Sequence, residues 1–191
     1  MTCVPAPLAA SSPEETRDAP QPQFRTMRFR DPHAALGRAV MQLMGKPGFG
    51  QLRFGSWSRI LVGQINREHY FFLERAGKIV GFAGWSRSSE AGADTWVAGE
   101  GDLSPDEVMT GDCIIVNVWQ SDDPQAQAEM VRQMRLIAHD IRLVYGRRSY
   151  GDGRDRFIKM PISRFLARHI ARGASEKMAD DSNKEGPTVL L

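Results

Sequence analysis

The spacing of apolar side chains predicts helices in three parts of the chain. The first covers 31–45, where Asp31 suits an N-cap, Pro32 suits the first helical position, and apolar residues recur every three or four positions. A second helix follows Pro124 and continues to Arg142, with one apolar and one basic face. A third covers 161–170 and ends before Gly173.

Other apolar runs predict strands, at 57–63, 69–75, 78–85, 113–119 and 156–160. The second and third of these flank Ala76-Gly77 and are typical of an antiparallel hairpin. The segment 86–109 has the composition of a loop, apart from one capped helical turn at 103–107. This order predicts an α+β fold with a mostly antiparallel sheet flanked by helices.

Length and composition predict one domain. A chain of 191 residues with 41% hydrophobic residues can bury one core but is short for two. We expect the domain at 27–173, with disordered tails at 1–26 and 174–191, and neither a signal peptide nor a membrane span. Cys3 falls in a tail and Cys113 in a buried run, so we expect no disulfide, and a reducing cytoplasmic setting fits.

Charge is unevenly distributed, although the net charge is only +2. Between Ser88 and Val131 there are ten acidic residues and no Lys or Arg, whereas from Arg132 to Lys177 basic residues outnumber acidic ones twelve to four. Such a division indicates two faces with different partners, or simply two solvated surfaces.

Several kinds of site are not expected. The four histidines are scattered without metal-ligand spacing, so we predict no metal. We predict no bound cofactor, because there is no convincing glycine-rich pyrophosphate loop. Nucleic acid is an unfavoured partner, since aromatic residues interleave with the arginines only at Tyr145 and Tyr150.

Asn117 is the most informative single position. It interrupts the apolar run 113–119, and a buried strand accepts an amide only where its donors and acceptor are satisfied. Two interpretations are equally open: a hydrogen-bonded core asparagine, or a side chain that faces a reaction site.

Short motifs in consistent order relate the chain to a known family. Pro32, Leu36-Gly37 and Pro47 are followed by Ile65 and Tyr70, then Trp85-Ser86, and finally Thr110-Gly111-Asp112 before an apolar strand. Over about Asp31 to Trp119 the chain thereby resembles the RTX toxin-activating lysine acyltransferases, the hemolysin-activating C-protein family.

The resemblance implies a fold like that of the GCN5-related acetyltransferases and a cytoplasmic enzyme that is often a homodimer. Such an enzyme moves a fatty acyl group from acyl carrier protein to internal lysines of an RTX-type protoxin. Acyl-loaded carrier protein is then the co-substrate. A histidine acts as the base and an aspartate orients it, because an amine attacks a thioester only after losing a proton.

Carried onto this chain, the histidine position falls on Phe49 and the aspartate position on Asn117. Phenylalanine cannot accept a proton, and asparagine carries no negative charge with which to orient a base. The resemblance therefore implies a divergent member that lacks both catalytic residues.

Substitute residues are available in principle. His33, in the first turn of a helix, and His69, at the start of the hairpin, are weak alternatives for the base, and each is more ordinarily a surface residue. Cys113 is more ordinarily an inert core thiol than a nucleophile. Arg132, Arg135 and Arg142 form the basic face of the second predicted helix, where acidic acyl carrier protein could dock; a solvated face is the alternative.

Two functions remain open. The first is protein-lysine acyl transfer of the toxin-activating type with a displaced base. The second is a catalytically inactive, acyltransferase-like binding or structural module, a pseudoenzyme within a larger assembly such as a particle or secretion complex.

Overall fold

The computed structural model describes residues 23–50, 52–101, 103–104, 106–149 and 155–165. Its helices are α1 (Pro32–Met44), α2 (Pro47–Gly50), α3 (Phe54–Asn66), α4 (Glu90–Ala98) and α5 (Pro124–Ile137). Its strands are β1 (Phe24–Met27), β2 (Tyr70–Arg75), β3 (Lys78–Ser88), β4 (Cys113–Ser121), β5 (Leu143–Ser149) and β6 (Asp155–Pro161).

The six strands form one sheet in chain order, β1 to β6. Every neighbouring pair is antiparallel except β4 and β5, which run parallel. A parallel pair needs a crossover connection, and α5 provides it. The fold is therefore α+β, with a mostly antiparallel sheet flanked by helices, as predicted.

Helices cover both faces of the sheet. On β2, Tyr70 and Phe72 pack with α1 and α3, whereas Phe71 and Leu73 pack with α5. Alternate residues of a strand point to opposite faces, so α1 and α3 lie on one side of the sheet and α5 on the other. A third cluster joins α4 to the beginnings of β4 and β5.

Local signals predicted α1 and the hairpin correctly. Asp31 caps α1 through its side chain, which accepts from the backbone N–H of His33, and Gly45 is the C-cap. At the hairpin turn Ala76 and Gly77 both have positive φ, 49° and 78°. Successive positive φ values are typical of the turns that join twisted strands. The capped turn at 103–107 is present as reciprocal hydrogen bonds between Ser104 and Glu107.

Three predicted elements were wrong. The strand at 57–63 belongs to α3, whose buried residues Trp57, Leu61 and Ile65 are four positions apart, which is helical spacing. The loop-like segment after Ser88 contains α4, capped by the Ser89 side chain. The second predicted helix ends at Ile137 rather than Arg142, and β5 follows in a segment for which the sequence predicted no element.

The ends of the domain are seen only in part. β1 begins at Phe24, so the sheet starts before the predicted boundary at Met27. Residues 162–165 are helical, in line with the third predicted helix, but the rest of that helix, the tail at 174–191 and Cys3 lie outside the described residues. Within the described part, no helix is long and apolar enough to cross a membrane.

Part of the unevenly distributed charge is paired among the described residues. Arg142 contacts Glu90 and Asp112 at 2.6 and 2.7 Å, and Lys159 contacts Asp94 at 2.7 Å. Acidic α4 and the turn before β4 therefore lie against basic residues of the β5–β6 region. These acidic and basic residues therefore neutralise one another at this place in the fold.

Candidate functional site

Asn117 occupies a β-bulge. On the β3 side the register steps from Gly84 opposite Val118 to Trp85 opposite Val116, so Asn117 is the extra residue of β4. A bulge reorients the side chain at that position, and bulges are frequent beside active sites.

The parallel pairing of β4 ends at the same place. It runs from Cys113 with Leu143 to Val116 with Gly146, and both strands continue beyond the last pair. The bulge thus coincides with the point where β4 and β5 separate.

The Asn117 side chain is buried and hydrogen-bonded. Its Oδ1 accepts from Gln64 Nε2 at 3.2 Å and from Ser86 Oγ at 3.3 Å. Gln64 is completely buried on α3, above Gly84, where an added Cβ would lie 2.2 Å from Gln64 Oε1. Of the two interpretations of Asn117, the hydrogen-bonded core asparagine describes this geometry.

Phe49, at the position of the family histidine, is also a core residue. It has no exposed surface and packs in the cluster beneath α1 and α3 with Leu43, Leu61 and Val118. It therefore lies on the same face of the sheet as Asn117. Neither of the two residues is available to a substrate in this structure.

A cleft opens where β3 extends past β2. Tyr70, the first residue of β2, pairs with Gly84, so Trp85 and the residues after it have no β2 partner. The segment 67–69 runs beside that edge, and Trp85 N donates to His69 O at 3.0 Å. The cleft has a volume of about 280 Å³. Its polar lining consists of Arg28, Arg67, Glu68, His69 and Arg87, and its apolar lining includes Trp85, Ile114, Met134, Ile137 and Ile141.

His69 lies in this cleft as a neutral imidazole. Its ring stacks on Trp85 with 12° between the planes, and Nδ1 is buried without a hydrogen-bond partner among the described residues. Desolvation, and then the charges of Arg67, Arg87 and Arg28, lower the pKa of His69 from 6.5 to about 4. At neutral pH the ring can accept a proton but carries no charge.

The three arginines of the cleft are held in different ways. Arg28 Nε donates to Tyr70 O at 2.7 Å, and Arg87 donates to Gly111 O and to Asp140. Among the described residues, Arg67 has one hydrogen-bond acceptor, Ser86 Oγ at 3.4 Å, and its buried Nε has none. None of the described carboxylates pairs with it. Burial lowers the pKa of Arg67.

Arg67 connects the cleft to the bulge. It donates to Ser86, and Ser86 donates to Asn117, which also accepts from Gln64. The residue beside it, Glu68, has φ 57°, a conformation unusual for a side chain other than glycine. Such backbone strain is frequent at functional sites.

Other residues considered from the sequence lie elsewhere. His33 is exposed at the start of α1, 3.3 Å from Asp31, and does not line the cleft. Cys113 is fully buried, and desolvation raises its pKa to about 11, so it is not a nucleophile at neutral pH. Among the described residues no group of His, Cys, Asp or Glu has an arrangement suited to a metal ion.

The predicted basic face is smaller than expected. Arg132 and Arg135 are exposed on α5, and Arg132 pairs with Glu129. Arg142 is not on that helix, because α5 ends at Ile137, and its guanidinium is engaged by Asp112 and Glu90. A docking face on α5 therefore contains two of the three arginines.

The cleft arginines and Gln64 were not singled out from the sequence. Gln64 could have been found, since it falls on the buried face of α3 once that segment is assigned as helix. Arg28, Arg67 and Arg87 come from three separate segments, and no local pattern links them.

No protein-family model matches the chain, and no curated protein matches it.

Proposed function

We propose that this protein is an acyltransferase of the toxin-activating type, with a fold like that of the GCN5-related acetyltransferases. In the proposed reaction a fatty acyl group passes from acyl carrier protein to a lysine of an RTX-type protoxin. The observation that carries the proposal is the separation of the parallel strands β4 and β5 at the Asn117 bulge.

Separated parallel strands suit a thioester donor on a long arm. Where β4 and β5 part, each turns backbone donors and acceptors toward the gap instead of toward the other strand. The prosthetic arm of acyl carrier protein is extended and contains amides, so it can pair with a strand edge as an added peptide strand does. This geometry supports carrier-bound acyl groups as the donor.

His69 is the base in this proposal. The neutral lysine amine attacks the thioester carbonyl, the C–N bond forms, and the imidazole of His69 takes the proton that the nitrogen must lose. The C–S bond then breaks, and the proton returns from His69 to the departing thiolate. The cleft arginines favour the uncharged amine, since a cation beside other cations loses its proton more readily, and they favour the developing oxyanion.

A transfer assay tests this function. Purified protein, acyl-loaded carrier protein and an RTX-type protoxin are incubated, and acylated lysines are detected by mass spectrometry. The expected result is transfer by the wild-type protein and by His33→Gln, with a loss of at least a hundredfold in His69→Gln. Absence of transfer by the wild type, or equal rates in all three, would refute it.

One observation favours the second function, the inactive module. Both positions of the family's catalytic pair, Phe49 and Asn117, are packed in the core. In that case the wild type would transfer nothing, and a Phe49→His/Asn117→Asp variant that acquires transfer would show that donor and acceptor sites persist on an inactive scaffold. A stoichiometric partner that copurifies from native cells would identify the assembly.

A further inference from the structure

The cleft beside β3 has an unusual balance of charge. Three arginines and one glutamate line it, and His69 is uncharged at neutral pH. Arg87 is the only one of the three with a carboxylate partner among the described residues, Asp140. Arg28 and Arg67 thus line the cleft without an ion-pair partner among the described residues, and Glu68 is the one carboxylate in the lining.

Of the two arginines without an ion pair, Arg67 is the more informative because it is partly buried. A guanidinium that is partly desolvated and lacks a paired anion destabilises the fold, because burying a charge is unfavourable unless it is compensated. Its Nε is buried with no hydrogen-bond partner in the described part of the chain, and burial lowers the pKa of the guanidinium. Gly63 leaves room for the guanidinium, since an added Cβ there would lie 2.9 Å from Nη1.

The rest of the cleft lining is apolar. It is formed by Trp85 from β3, Ile114 from β4, Met134 and Ile137 from α5, and Ile141 after that helix. A purely ionic ligand would leave these side chains unused, and a purely apolar ligand would leave the arginines unpaired. The volume, about 280 Å³, lies just below the usual range for ligand sites and suits a short molecule.

We infer that the cleft is a binding site for a small oxyanion attached to an apolar stem, with Arg67 and Arg28 on the oxyanion and the apolar part of the lining on the stem. A carboxylate or a phosphate monoester has the oxygen geometry that a guanidinium binds through two parallel hydrogen bonds. A fatty acid and an alkyl phosphate share this chemistry. Binding of either is independent of acyl transfer, so the site stands or falls separately from the proposed reaction.

The experiment is a calorimetric titration of the full-length protein with sodium octanoate and, separately, with octyl phosphate. Octyltrimethylammonium, which has the same stem and the opposite charge, is the matched control ligand. We expect saturable one-to-one binding of at least one anion and none of the cation. Whichever anion binds more tightly identifies the headgroup.

Two variants place the ligand in the cleft. Arg67→Gln should weaken binding of the anion at least tenfold, whereas Arg132→Gln, which removes an exposed arginine of α5 outside the cleft, should leave it within twofold. A cooperative thermal unfolding transition in each variant is the control for a retained fold. No saturable binding of either anion, equal binding of the cation, or equal affinities in wild type and Arg67→Gln would overturn the inference.

Discussion

The Gln64 side chain donates to Asn117 Oδ1 at 3.2 Å, and this bond fastens α3 to the bulge of β4. Both residues are buried, and the glutamine lies directly above Gly84. The amide that interrupts an apolar strand is therefore explained by a second buried amide on a helix 53 positions earlier.

Gly84→Ala should destabilise the protein by about 2 kcal/mol. The new methyl group would lie 2.2 Å from Gln64 Oε1, so the glutamine must move and its bond to Asn117 is lost. Chemical denaturation followed by circular dichroism measures the change. Gly37→Ala is the matched control, because Gly37 lies in α1 with nothing near the added methyl group. This substitution should raise the free energy of unfolding by about 0.5 kcal/mol. Equal effects at the two positions would contradict the proposed packing.

Gly111→Ala should cost about 3 kcal/mol. Gly111 has φ 104°, and an added Cβ would lie 2.1 Å from the backbone oxygen of Ser88, which cannot move as a side chain can. Its carbonyl also accepts from Arg87, so the substitution should disturb the cleft as well. A loss below 1 kcal/mol in the same denaturation experiment would show that this turn is not fixed as described.

Arg67→Met should leave the free energy of unfolding unchanged or raise it by about 1 kcal/mol. Methionine keeps an apolar stem but removes a partly buried cation that no described carboxylate pairs with. An arginine that lowers the free energy of unfolding in this way is expected to serve binding rather than folding. If the variant instead loses more than 1 kcal/mol, the bond from Arg67 to Ser86 is a structural tie and the argument for an unpaired cation fails.

His69 should make stability depend on pH between about 6.5 and 4. Its pKa is lowered from 6.5 to about 4 in the folded protein, so as pH falls the unfolded chain takes up a proton first. The stabilisation that the neutral His69 ring provides is fully present above pH 6.5 and is lost as the pH falls toward 4. Its size is about 1.5 kcal/mol, since the ring is only half-buried and solvent screens part of the effect. Unfolding free energies at pH 7.5 and 4.5, compared between wild type and His69→Gln, measure it; parallel curves would contradict the neutral imidazole.

The parts of the fold predicted from the sequence are those set by neighbouring residues. Asp31-Pro32 starts α1, Ala76-Gly77 turns the hairpin, and the apolar run at 113–119 is a buried strand. α3 was missed because Trp57 to Gly63 is apolar enough for a strand, and only the spacing of its buried residues shows the helix. That a polar Asn117 must be satisfied could be predicted, whereas its partner Gln64 can be found only once its segment is assigned as the helix α3.

The cleft could not be predicted, because tertiary structure alone assembles it. His69 was only a weak alternative in the sequence, as its alternation with apolar residues suits a surface strand position. In the fold, β2 starts at Tyr70 rather than at His69. The part of β3 that extends past Tyr70 has no β2 partner, and there His69 stacks on Trp85. The basic face predicted on α5 failed at Arg142 for the opposite reason, since helix length depends on packing that periodicity does not report.

In the proposed reaction, the His69 cleft supplies the base that Phe49 and Asn117 cannot supply. The most direct test compares acyl transfer to a protein lysine by the purified wild type and by its His69→Gln variant. Mass spectrometry of the acceptor after incubation with acyl-loaded carrier protein should show acylated lysine with the wild type and at least a hundredfold less with the variant. Transfer that is undiminished in His69→Gln, or absent from the wild type, would contradict this assignment.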